Sequence, residues 1–260
     1  MSVRSCENPP QKLWRIFCGS NEQTMEITYL LNSGFMVRHD GVVLVFDDYA
    51  DPSEIVDKVI ADGDFTRLYF FVSHAHFDHF DSHILAYAPH VTSYIMSREI
   101  RRTKRGKLFP PERTVFLSNY AEWSDEEISV RTFSSTDVGT SFLVSVKGRS
   151  IFHAGDFNWW HWSEDSAENI AAAKENFMAQ MKKLDGIAVD VVFFPIDGRL
   201  GKAQEWGAGE FCRRTKLRLL VAMHNVGFPR WQPSADFFVG AATAPHWSPT
   251  EPGESLSVFD

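Results

Sequence analysis

Four of the chain's ten histidines fall within residues 72–84, VSHAHFDHFDSHI, directly after the apolar run 68–72. Within that stretch His74, His76, Asp78 and His79 form the pattern HxHxDH. Imidazole and carboxylate suit zinc and related divalent ions, and a short loop can aim His74 and His76 at one ion while Asp78 and His79 turn toward a second. Two ions held about 3.5–4 Å apart can share a water, lower its pKa and clamp the group it attacks, which is hydrolytic chemistry. The bland alternative is a set of surface histidines at a helix start.

A metal loop needs a rigid frame and further ligands from elsewhere in the chain. Residues 25–48, MEITYLLNSGFMVRHDGVVLVFDD, alternate as strands and carry turn signals at Asn32-Ser33-Gly34 and Asp40-Gly41, so antiparallel hairpins are expected. A helical stretch at about 52–61 leads into the strand 68–72, whose unbroken apolar character predicts cover on both faces. The segment 141–156 reads as a hairpin turning at Lys147-Gly148-Arg149. Residues 165–186 predict an amphipathic helix with Asp165 as N-cap, Glu168 completing a capping box, Gly186 as stop, and Ile170, Phe177, Met181 and Leu184 on one face. Two apolar strands, 190–196 and 217–223, follow, and the proline-bearing tail 241–260 reads as irregular surface structure. What recurs is an apolar strand ending in a polar residue: Asp47, His74, Asp156, Asp197 and His224. In helix-covered sheets, functional groups gather at such strand ends.

Composition narrows the classes. With 260 residues, a single domain spanning 1–260 is expected, its core at about 25–225. A net charge of -8 argues against a general polyanion binder, so a nucleic-acid partner is not expected; the basic run 101–107, RRTKRGK, reads as a solvated loop. Three cysteines without CxxC spacing, Cys6, Cys18 and Cys212, indicate neither a disulfide framework nor a thiolate zinc site, and the first residues, MSVRSCENPP, lack a signal core. The apolar runs are too short to span a membrane, and a cytoplasmic location is expected.

HxHxDH after a buried strand, followed by strand-end Asp156 in IFHAGD and His224 in LLVAMHN, resembles the metallo-β-lactamase superfamily across about residues 25–225. That resemblance implies a four-layer αββα sandwich of two mixed sheets with helices outside and metals at one sheet edge. It implies metal ligation by His74, His76, Asp78, His79, Asp156, as bridging carboxylate, and His224. Asp47 would orient the metal loop by hydrogen bonding, and Asp78 would also orient the nucleophile.

The chain departs from the pattern in one segment. Where many relatives carry a histidine before a glycine, this chain has SSTDVGTS, which places Thr136 at the histidine position and Asp137 beside it. A hard carboxylate completes a site with His74 and His76 better than a neutral hydroxyl, so Asp137 is the expected ligand, with Thr136 or neither as the alternatives. His153, three residues before Asp156, should face away and be satisfied by a partner. Trp159 and His161 in the segment 157–163, FNWWHWS, and Arg199 after a strand end are candidates for lining the site. An ion pair with Asp197 is the duller role for Arg199.

Together these features imply a dinuclear zinc hydrolase, with manganese or iron as other metals, whose metal-bound hydroxide attacks an ester-like bond of a small metabolite, phosphorylated ones among them. The alternatives are a two-iron redox protein or a non-catalytic binding module with a degraded site.

Overall fold

The computed structural model describes residues 24–259, and Cys6 and Cys18 therefore lie outside the described residues. An antiparallel meander opens the chain: β1 (Met25–Leu31), β2 (Gly34–His39) and β3 (Val42–Phe46). The β2–β3 turn places both Asp40 (φ 48) and Gly41 (φ 75) in the left-handed region, as a two-residue hairpin turn with the twist of its strands requires. Helix α1 (Ile55–Asp62) then crosses over to β4 (Arg67–Val72), after which β5 (Ser93–Ser97) and β6 (Thr114–Leu117) extend the sheet in parallel.

The second sheet begins with β7 (Glu122–Ser124), β8 (Ile128–Ser134), β9 (Thr140–Val146) and β10 (Arg149–His153), all antiparallel. Helix α2 (Ala167–Met181), β11 (Ala188–Pro195), helix α3 (Trp206–Arg214) and β12 (Lys216–Met223) continue it, now in parallel. The two last strands, β13 (His246–Trp247) and β14 (Ser255–Val258), close opposite sheets. The orders are β14-β1-β2-β3-β4-β5-β6 and β13-β12-β11-β10-β9-β8-β7.

The pleat of β4 explains its apolar run. Tyr69 and Phe71 join the core between the sheets, whereas Leu68, Phe70 and Val72 pack outward with Val56 and Val59 of α1 and with Ile84. Period-two alternation would read as half-buried only if one face met water; here both faces are covered. Between the sheets Phe35 meets Phe193 at 4.5 Å and Phe71 meets Phe142 at 5.4 Å, centroid to centroid. On the far side of the second sheet Phe211 of α3 packs on Phe152 and Phe194 at 5.2 and 5.1 Å. Each such ring, fully buried, contributes about 1.5–3 kcal/mol. The layers are therefore helix, sheet, sheet, helix, the expected αββα sandwich.

Three sequence expectations fail locally. Ser166, not Asp165, caps α2, its hydroxyl accepting from Asn169 N at 3.2 Å. Asp165 is taken up by the preceding turn, its N–H donating to Trp162 O, so the neighbouring hydroxyl does the capping. The helix also ends at Met181, and Leu184 is buried from the following turn instead of from the helical face. The tail 241–260, expected to be irregular, supplies β13 and β14, and β14 pairs antiparallel with β1 over Met25↔Val258 to Thr28↔Ser255. Its alternation over four residues, SLSV, is too short to stand out from a prolyl surface segment, and only the exposed edge of β1 gives it a partner.

Candidate metal centre

The strand-end residues meet because the parallel strands of both sheets finish at the same edge. Backbone bonds fasten the two sheets there: Thr140 N donates to Ser73 O at 3.0 Å and His224 N donates to Asn32 O at 3.1 Å. Gly139 makes the first closure possible, since a Cβ on it would stand 2.1 Å from Ser73 O and 2.5 Å from His74 Cβ, and its φ is +81. Asp47 (φ 43) and His224 (φ 60) leave their strands through the left-handed region, a strain of about 1 kcal/mol or more each that aims both side chains inward.

Two groups of ligand atoms result. His74, His76 and Asp156 form one, and Asp78, His79 and His224 the other, each with its ligand atoms within 4.8 Å of one another. The Asp156 carboxylate faces both: Oδ2 is 3.4 Å from His74 Nε2, while Oδ1 is 3.1 Å from His79 Nε2 and 3.5 Å from His224 Nε2. Asp78 Oδ2 stands 3.7 Å from His224 Nε2 and 3.8 Å from His79 Nε2, and Asn32 Nδ2 donates to it at 3.3 Å.

The side chains behind the cluster set which ring nitrogen faces forward. Asp47, 1% exposed, accepts from Ser73 N at 2.7 Å, from Ser73 Oγ at 2.6 Å and from His79 Nδ1 at 2.8 Å. Because the Ser73 hydroxyl spends its proton on Asp47, it accepts from His74 Nδ1 at 2.9 Å. Asp197 accepts from His224 Nδ1 at 3.1 Å in the same manner. His74, His79 and His224 are thereby all tied back through Nδ1 and present Nε2 to the centre, the orientation that outer carboxylates impose on metal-ligating imidazoles.

This donor set fits divalent ions. His79 Nε2 and Asp156 Oδ1 are both buried and neither has a hydrogen-bond partner, although they lie close together. His74 Nε2 and Nδ1 of the half-exposed His76 stand at hydrogen-bond distance, 3.0 Å, two imidazole nitrogens turned on one point. Buried polar atoms left facing a common space in this way are what a cation would satisfy.

Electrostatics among these side chains follow from the same packing. Burial disfavours a charged His79, yet the carboxylates of Asp156 and Asp47 outweigh it and push the ring up to about 10. Burial, joined by the charge of His79, brings His74 down to about 4. Asp156 is penalised by burial too, but the charge of His79, with those of His224 and His74, holds it well below the usual carboxylate range. Asp47 is held low against its burial chiefly by the His79 bond, and Asp197 by its bonds to His224 and Arg199.

The remaining sequence candidates occupy distinct places. Asp137 Oδ2 is 3.9 Å from His76 Nδ1, at the half-exposed rim and outside the compact groups, while Thr136 is engaged with the Asn158 backbone, donating to O at 2.6 Å and accepting from N at 2.9 Å. His153 is fully buried, donating from Nε2 to Ser33 O at 2.9 Å and stacked 5.0 Å from Phe46, as a structural histidine. Trp159 packs on Phe177 and Trp206, and His161 also lies against Trp206. It is Trp160 that stands beside His224, 5.7 Å between ring centroids. Arg199 binds Asp197 through Nε and Nη2 and lies over Trp162 at 5.4 Å.

Ser73, Asn32, Asp197 as the acceptor behind His224, and Arg105 were not singled out as site residues from sequence. Arg105 donates to the carbonyls of Ala75 and Phe80, clasping the two ends of the loop that bears His76, Asp78 and His79, with its guanidinium 4.8 Å over the Phe80 ring. The strand-end position of Asp197 was a usable signal; for Arg105, inside a basic run, there was none.

Fold and site together define a metallo-β-lactamase-fold protein with paired metal-ligand clusters. The chain is similar to Igni18, a metallo hydrolase from the hyperthermophilic archaeon Ignicoccus hospitalis KIN4/I, at 20% identity and a TM-score of 0.62 over 90% of this chain and 98% of that one. It is similar also to the metallo-β-lactamase fold protein YhfI from Bacillus subtilis (11% identity, TM-score 0.56, 90% and 99% covered). A third likeness is to CmlA, a diiron β-hydroxylase from Streptomyces venezuelae (14%, TM-score 0.52), of which the match covers 45% against 79% of this chain. No family model matches the chain, and no curated protein matches it. No helix among the described residues is long and apolar enough to cross a membrane.

Proposed function

We propose that the protein is a dinuclear, zinc-dependent hydrolase of the metallo-β-lactamase superfamily, acting on an ester-like bond of a small metabolite, in the cytoplasm. The observation that carries this reading is the Asp156 carboxylate, whose two oxygens face the two ligand groups. His74, His76 and Asp156 would hold one ion, and Asp78, His79, His224 and the same Asp156 the other, with Asp137 completing the first site. Bound ions would supply Lewis acidity and a water acidic enough to act as nucleophile at neutral pH.

The chain's own residues divide into a floor and a rim. His74, His79, Asp156 and His224 are buried, and the three histidines are held from behind by Ser73, Asp47 and Asp197, so their positions survive substrate exchange. His76, Asp137 and Asp78 have side chains exposed by 49%, 45% and 27%, so substrate enters across them. Asp78, steadied by Asn32, would orient the nucleophile and accept its proton, with Trp160 beside His224 as a wall of the site.

Metal analysis of protein purified without added metal, combined with hydrolysis assays on carboxyl, thio- and phosphodiester panels, tests the proposal. About two equivalents of zinc and turnover abolished by chelation are expected. Iron with no hydrolysis would favour the redox chemistry of CmlA, and no metal at all would leave a binding module.

A further inference from the structure

We propose that a groove leading away from this centre, ending at Arg98 and Arg102, is a subsite for a phosphate-class anionic group carried by the substrate. It deepens the hydrolase reading and rests on it only for the word substrate. The groove, of about 640 Å³, is lined by Arg98, Glu99 and Arg102 and by Asp137, Val138 and Gly139 among others. Asp137 stands 3.9 Å from His76 Nδ1 and Gly139 presses on His74, so one end of the groove opens on the metal-ligand rim. At the other end a cavity of about 320 Å³ is lined, among the described residues, by Arg98, Arg101, Arg102 and Lys107.

These four cations are uncommitted. Among the described residues none of them forms an ion pair, and only Arg98 has a side-chain partner, donating to Ser118 Oγ at 3.1 Å. The other arginines near the centre are already engaged, Arg105 with the carbonyls of the metal loop and Arg199 with Asp197. Four like charges around one cavity, in a chain of net charge -8, repel one another and gain from an anion in their midst. Guanidinium forks match the oxygens of a phosphate, which takes two parallel hydrogen bonds from one arginine.

Asp137 marks the end of the groove at the centre, 3.9 Å from His76, so the path runs from a carboxylate there, past Glu99, to unpaired cations at the far end. A ligand following it would place its anionic terminus on Arg98 and Arg102 and the bond to be cleaved over His76 and Asp78. The surface is short and cupped, which suits one phosphate-bearing small molecule better than a polymer.

The probe is inorganic phosphate, with sulfate as a second anion, titrated into metal-stripped protein and followed by thermal shift and by the arginine side-chain resonances. Saturable binding is expected, weakened at least tenfold by Arg98→Gln with Arg102→Gln and unchanged by Arg131→Gln, which lies on β8 paired with Glu122. All these side chains are on the surface, and an unaltered unfolding midpoint without phosphate checks that the variants fold. On the metal-loaded enzyme the double variant should raise KM at least tenfold for a phosphate-bearing ester, leave kcat within twofold, and leave a neutral ester untouched.

Phosphate binding that is absent, or equal in wild type and the double variant, overturns the subsite even if hydrolysis is found. Arginine-dependent phosphate binding without any hydrolysis upholds the subsite and sinks the hydrolase reading instead. Tight binding of single-stranded RNA with a steep salt dependence would replace the small ligand by a polymer and overturn the proposal as stated.

Discussion

Replacing Asp47 by asparagine tests how far the outer carboxylate governs the centre. The change keeps the shape but makes one of two acceptor oxygens a donor, in a site where Asp47 is 1% exposed and accepts three hydrogen bonds. With the amide oxygen kept toward Ser73 Oγ and His79 Nδ1, the new NH2 confronts Ser73 N–H and leaves a buried donor unpaired, which costs about 1–3 kcal/mol. The two surviving bonds lose their ionic partner, at roughly 0.5–1.5 kcal/mol each from the difference between charged and neutral hydrogen bonds. The sum, about 2–6 kcal/mol, lies well under the middle of an ordinary domain's range of about 5–15 kcal/mol, so the variant should fold. Held by a neutral amide in place of a carboxylate, the imidazoles of His74 and His79 are fixed less firmly with Nε2 forward, and metal affinity should fall about 10- to 100-fold. Denaturant unfolding of the metal-free protein and competition with a chelator measure the two effects. A variant within 0.5 kcal/mol of wild type in stability and within twofold in metal affinity would refute this account of Asp47.

Asp156→Ala should remove bound metal at both positions and abolish hydrolysis while circular dichroism stays native, because the substitution takes away ligand oxygens and no core volume; retained metal with full turnover would count against the bridging role. Arg105→Gln should loosen the loop between Ala75 and Phe80, lowering metal affinity several-fold and raising hydrogen exchange across that loop, and unchanged exchange would show the clasp to be idle. Asp137→Ala should lose about one equivalent of metal, whereas Asp137→His should keep it and carry the acid limb of the activity profile to lower pH; an alanine variant with both metals and an unchanged profile would leave Asp137 a turn residue. In metal-free protein His79, raised from 6.5 to about 10, contributes stability that is complete below pH 6.5 and lost as pH climbs toward 10, so the unfolding midpoint should decline across that window and decline less in His79→Gln. Zinc, which needs the neutral ring, should flatten the decline, and a midpoint that rises with pH there would reverse the sign assigned to His79.

The contiguous part of the centre was legible in the sequence because its geometry is local. His74, His76, Asp78 and His79 lie within one loop after β4, so their spacing alone carries their direction. The frame was legible where periodicity is strong: the meander from Met25 to Phe46, the turn at Lys147 and Gly148, and the doubly covered strand β4 all match their patterns. Asp156 and His224 were reached by their place at strand ends and by the family resemblance, which anticipated the αββα layers.

Other features depend on partners that sequence distance hides. The four residues of β14 become a strand because β1 has an open edge, and Thr28 and Ser255, 227 positions apart, then share a hydrogen bond. Trp160 faces His224 while Trp159 turns into the packing of α2 and α3, a choice between adjacent, identical side chains that only the surrounding walls make. Residue types and local spacing determined that this chain can gather metal ligands at a strand end. Which nitrogen of each imidazole faces the centre was decided by tertiary structure, because Asp47 and Asp197 reach their histidines across 32 and 27 residues and no local pattern records a bond made at that distance.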